Sequence, residues 1–175
     1  MENLNRIFEE LKNDLGKPGV FIKEISSTDI ETKGYKKGYL LPFVAENEYK
    51  YYHIYIDEAL KYEEKISVIF HEMGHVKLDE FLGFQEVDSR IKADRLKWTQ
   101  FTEFHAFKNQ LEEGKRLFEN GVTSILSISI DFINETYSNP EITQPYKFAI
   151  EDIWKENIWK ECVQLIEKNE GAIKK

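Results

Sequence analysis

Apolar residues recur at Leu4, Ile7, Phe8, Leu11 and Leu15, three and four positions apart. That spacing gives a helix one apolar face, and Gly16, Pro18 and Gly19 end it. Residues 20–25 alternate between apolar and polar, which predicts a strand. Residues 26–38 are polar and glycine-bounded, and read as a loop. Residues 39–44 are a second strand candidate. Pro42 within it lacks the N–H that a ladder needs, so the strand belongs at a sheet edge. Glu46, Asn47 and Glu48 supply a turn. Residues 51–57, Tyr-Tyr-His-Ile-Tyr-Ile-Asp, are the clearest strand, rich in aromatic and β-branched side chains. Together these segments predict a small, three-stranded, mostly antiparallel sheet.

From Glu63 onward the period lengthens to that of a helix and stays there. Helices are expected over about 63–81, 96–118 and 122–137, the second ending near Gly121. Ser138, Asn139 and Pro140 break the chain, and Pro145 is placed to open a last helix. One broad face of that helix carries Ile150, Ile153, Trp154, Ile158, Cys162 and Ile166. An N-terminal helix, a small sheet and a helical second half make an α+β chain. No repeat or linker interrupts it, so the 175 residues predict a single domain.

Composition narrows the function. A hydrophobic fraction of 41% and a charged fraction of 32% suit a water-soluble domain with a real core. The net charge of −8 repels phosphate backbones, so direct nucleic-acid binding is not expected. No stretch approaches the ~20 apolar residues of a membrane span, and the N-terminus lacks a secretory pattern. The expected location is therefore the cytoplasm, with no membrane partner. Cys162 is the sole cysteine, which excludes an internal disulfide. Its apolar neighbours predict a small buried helix residue, not a nucleophile.

The chemistry concentrates in His71-Glu72-Met73-Gly74-His75. Four residues along a helix turn through about 400°, so the two imidazoles lie about 40° apart, one above the other. Histidines so placed can both reach one zinc ion at about 2.0–2.1 Å. Glu72 points about 100° away from His71, off the ligand stripe but within reach of a water at the ion. That combination suits metal-assisted hydrolysis, with Glu72 as general base and acid. Val68, Ile69 and Phe70 before the motif and Val76 after it predict a helix set in the core, although Lys77 is an unexpected charge there. Gly74 weakens a helix interior, and its expected purpose is close approach of another backbone.

A catalytic zinc site takes three protein ligands and keeps one position open. Downstream candidates are Asp79, Glu103 and His105. Asp79 continues the stripe of His71 and His75, and three ligands in one line cannot surround a tetrahedral ion. Glu103 and His105 share the next long helix, whose apolar stripe is Phe104, Phe107 and Leu111. With Glu103 at zero, those three lie at about 100°, 40° and 80°, and His105 at about 200°. Glu103 thus borders the buried face, with small Ala106 beside it, and is favoured over His105. His53 alternates with Tyr51 and Tyr55, opposite Ile54 and Ile56, and reads as a half-exposed strand residue. Tyr137, Tyr146 and His105 are all candidates to stabilise an oxyanion.

The strand His53-Ile-Tyr-Ile-Asp57, a short helical lead and Val-Ile-Phe-His-Glu-Met-Gly-His resemble the ImmA/IrrE-type metallopeptidases over roughly residues 20–111. That family's third ligand is a glutamate on the following helix, with alanine three residues later. Glu103 and Ala106 match that spacing, 28 residues beyond His75. Past Glu103 the chain departs from the family's usual Ala-Asn-x-Phe-Ala, reading Phe-His-Ala-Phe-Lys-Asn-Gln-Leu. The resemblance implies a zincin-like core over 1–120 carrying a helical extension over 121–175. It further implies an intracellular zinc endopeptidase whose protein substrate is a transcriptional repressor. The competing expectation is a non-catalytic zinc-binding sensor or protein-interaction module, with His105 or Asp79 closing the site as a fourth ligand.

Overall fold

A computed structural model describes residues 4–16, 19–32, 37–46, 50–82 and 93–173. Contacts divide the chain into two compact units, Met1–Glu72 and Met73–Lys175. Among the described residues there are seven helices and one three-stranded sheet, an α+β set. The order is α1 (Leu4–Gly16), β1 (Val20–Ile25), α2 (Ser27–Thr32), β2 (Gly38–Val44), β3 (Lys50–Asp57) and α3 (Tyr62–Leu82). Then follow α4 (Arg95–Glu119), α5 (Ser124–Ser138), α6 (Gln144–Lys155) and α7 (Asn157–Ile173). The expected stop at Pro18 and turn at Asn47 and Glu48 lie outside the described residues. No helix among the described residues is long and apolar enough to cross a membrane.

In the first unit the sheet order is β1-β3-β2. β2 pairs antiparallel with β3, and β1 pairs parallel with it. The sheet is therefore mixed, where the alternation had predicted a mostly antiparallel one. Parallel neighbours need a long return connection, and the chain from Ile25 to Lys50 supplies it. Residues 26–38, read as loop, include α2, whose start is fixed by Ser26: its Oγ accepts from the Asp29 N–H at 3.2 Å. β2 is an edge strand, as Pro42 requires.

β3 sorts its side chains by parity. Tyr52, Ile54 and Ile56 are buried, while Tyr51, His53 and Tyr55 on the opposite face are half-buried. Phe8, Ile30, Ile66 and Ile69 are buried in the same unit. On the outer face, His53 sits among the rings of Phe21, Phe43, Tyr51 and Tyr55. Burial and the nearby Lys23 ammonium hold its pKa below the usual histidine value. At the end of β3, buried Asp57 accepts from Ser27 Oγ at 2.8 Å and from the Ala59 N–H at 2.9 Å. These bonds fix the turn that leads into α3.

Gly38 begins β2 against α3. A Cβ there would stand 2.7 Å from the Tyr55 carbonyl oxygen and 2.8 Å from Val68 Cγ1. Gly38→Ala is expected to destabilise the fold by about 1–3 kcal/mol, the usual penalty for overpacking. Urea unfolding measures it, and an unchanged midpoint would contradict this packing.

In the second unit α4 packs on α5, α6 and α7. Phe107, Leu111, Leu126, Ile133, Ile150, Ile153 and Cys162 form its buried cluster. Asp94 caps α4, its carboxylate accepting from the Lys97 N–H at 3.1 Å. Gly121, at φ 90°, ends it: the Val122 N–H reaches the Leu117 carbonyl at 2.9 Å and the Gly121 N–H reaches Phe118 at 3.0 Å. Pro145 opens α6 as expected. The single last helix predicted from Pro145 is instead two, because Glu156 is extended (φ −69°, ψ 150°). Neither glycine nor proline marks the break, and the apolar face continues across it into the same cluster.

Cys162 lies inside that cluster, and burial pushes its thiol up to about 12. A thiol reagent is expected to label it at the rate of global unfolding. Labelling of the native protein as fast as that of a free thiol would contradict the placement.

Candidate metal centre

Helix α3 forms where its sequence is apolar on several sides. Ile66, Ile69, Phe70, Val76 and Leu78 are buried along it. His71 and Glu72 are buried too, and His75 is partly exposed. α3 runs unbroken through the motif, so one backbone holds both imidazoles a turn apart.

Glu103 is buried on α4. Its Oε1 lies 3.5 Å from His75 Nε2. His71, His75 and Glu103 offer ligand atoms that all lie within 4.8 Å of one another. Two ligand atoms each about 2.1 Å from a tetrahedral ion stand about 3.4 Å apart, so the His75–Glu103 separation is already that of a ligand pair. Two imidazoles and one buried carboxylate are also a donor set suited to a divalent cation. These residues fit a metal ion.

The group has three members among the described residues, and neither His105 nor Asp79 belongs to it. His105 packs against the rings of Phe101 at 4.6 Å and Phe104 at 5.3 Å. Burial and Lys108 hold its pKa low. It lines a surface groove with Lys77, Phe81, Phe101 and Lys108. Asp79 is half-buried one turn beyond His75. Tyr137 donates to Glu151 at 3.1 Å, and that bond raises the pKa of its phenol.

Gly74 meets α4 as its position in the motif suggested. A Cβ there would stand 2.6 Å from Ala106 Cα, 3.0 Å from the His105 carbonyl oxygen and 3.1 Å from Asn109 Cβ. Lys77, the unexpected charge, donates from Nζ to Asn109 Oδ1 at 2.7 Å and to Glu113 Oε1 at 3.2 Å. The sequence held a faint signal for this: Asn109 and Glu113 are four apart and so share a face of α4.

No family model, curated protein or solved structure matches the chain. The case for its chemistry rests on the residues themselves.

Proposed function

We propose that the chain is a zinc-dependent endopeptidase of the ImmA/IrrE type, with a zincin-like arrangement and a protein substrate inside the cell. The observation that carries this reading is Glu103 at 3.5 Å from His75, completing a three-residue donor group beside Glu72. Three protein donors leave a tetrahedral ion one open position. Zinc held there would supply a Lewis acid and bring the pKa of a water down towards ~7.

The remaining work falls to Glu72. It is buried and follows His71 in the chain, but is not a member of the donor group. Its carboxylate would take a proton from the attacking water and pass it to the departing amine nitrogen. Burial strengthens that exchange by excluding competing water. An extended substrate would pair with an edge strand of the sheet, β1 or β2, because β3 between them has both sides occupied.

The test is metal analysis of the purified protein, followed by cleavage of a peptide library with and without a chelator. One zinc per chain and chelator-sensitive cleavage are expected. Bound zinc without cleavage of any peptide or folded protein would instead support the sensor or interaction module.

A further inference from the structure

We infer that Gly74 and Lys77 are positioning residues that set the distance between His75 and Glu103 through a clamp between α3 and α4. The inference rests on the metal group alone, and not on peptidase activity. On α3, Gly74 and Lys77 are three apart; on α4, Ala106 and Asn109 are three apart. Residues three apart share a helix face, so these pairs form two facing rungs. The first rung is Gly74 on the backbone at His105 and Ala106. The second is the Lys77 bond to Asn109, extended to Glu113.

The clamp sits immediately beside the donors. Gly74 precedes His75 in sequence, and Ala106 lies one turn after Glu103. Any side chain at 74 meets backbone atoms, which cannot rotate away as a side chain would. α4 would have to move out, taking Glu103 from His75. Alanine is otherwise the better helix former by up to ~1 kcal/mol, so a glycine here runs against local preference. Lys77 then holds the near approach from the side. Its ammonium ties to Asn109, a buried residue, while Arg116 binds the second oxygen of Glu113 at 2.8 Å and orients that carboxylate.

Groups that orient metal ligands without touching the ion commonly contribute about 10–100-fold to affinity. Gly74→Ala is expected to weaken zinc binding by about that factor, and Lys77→Met by up to about 10-fold. Zinc affinity is read by competition with a chromophoric chelator, and the visible spectrum of the cobalt-loaded protein reports the coordination. Both variants should change that spectrum while keeping the far-ultraviolet circular dichroism of the parent.

Gly114→Ala is the control. Gly114 is on α4 too, but its Cβ would touch Leu126 and Ser129 of α5, at 3.4–3.5 Å. Its zinc affinity should match the parent's. Parental affinity and spectrum in Gly74→Ala and Lys77→Met would overturn the inference, as would equal weakening by Gly114→Ala. If Gly74→Ala fails to fold, Lys77→Met decides, since its side chain is half exposed and its removal leaves the packing at Gly74 intact. A parent chain that takes up no zinc overturns the metal reading itself, and that measurement comes first.

Discussion

Glu72→Gln is expected to keep one zinc per chain and to lower kcat/KM for peptide cleavage by about 10²–10⁴-fold, the usual contribution of a general base. Glutamine has the same shape and fits the same buried position. Its amide oxygen cannot take up a proton at neutral pH, so the attacking water stays intact. Zinc uptake should survive because the donor group is His71, His75 and Glu103. Loss of a nearby negative charge should weaken affinity only modestly. Cleavage by Glu72→Gln at the parental rate would end the proposed mechanism, whatever the metal content.

The residues that were legible in sequence are those whose geometry is local. His71 and His75 are one helical turn apart by arithmetic, and nothing distant changes that. β3 shows its buried face in the alternation of Tyr52, Ile54 and Ile56 against Tyr51, His53 and Tyr55. Glu103 could be read because it borders a stripe of Phe104, Phe107 and Leu111 on its own helix. The direction of β1 could not be read. Alternation along Val20–Ile25 is the same whether its neighbour runs parallel or antiparallel, so only the connection decides.

Two further features hid for different reasons. The break at Glu156 lies in a face that stays apolar on both sides, so Ile153, Trp154 and Ile158 imitate one continuous helix. Lys77 looked misplaced because its partner Asn109 lies on another helix, 32 residues away. Gly74 was the better clue. A glycine inside a helix has a local cost, and a local cost asks for a tertiary explanation. Ala106 provides it. That pairing also explains how a carboxylate on a separate element comes to stand beside His75.

Removing the Glu103 carboxylate should separate the three-donor centre from its rivals more sharply than any other change. Loss of an outer-shell partner costs about 10–100-fold in metal affinity, so loss of a direct donor should exceed about 100-fold. Glu103→Gln is the preferred variant. It preserves the volume of a buried side chain and removes its charge, so the metal-free fold should be at least as stable as the parent's. The parent at zinc concentrations of about 100 Kd should gain about 2.7 kcal/mol of stability, and the variant almost none at the same concentration. Thermal unfolding with and without zinc reads both numbers in one experiment. His105→Ala should behave as the parent does, because its ring packs against Phe101 and Phe104 and stands outside the donor group. The reverse result, zinc-dependent stability lost with His105 and kept without the Glu103 carboxylate, would move the third ligand two residues along α4. It would also place that ligand on the face that now lines the groove with Lys108, and the open hydrolytic site argued from Glu103 would fall with it.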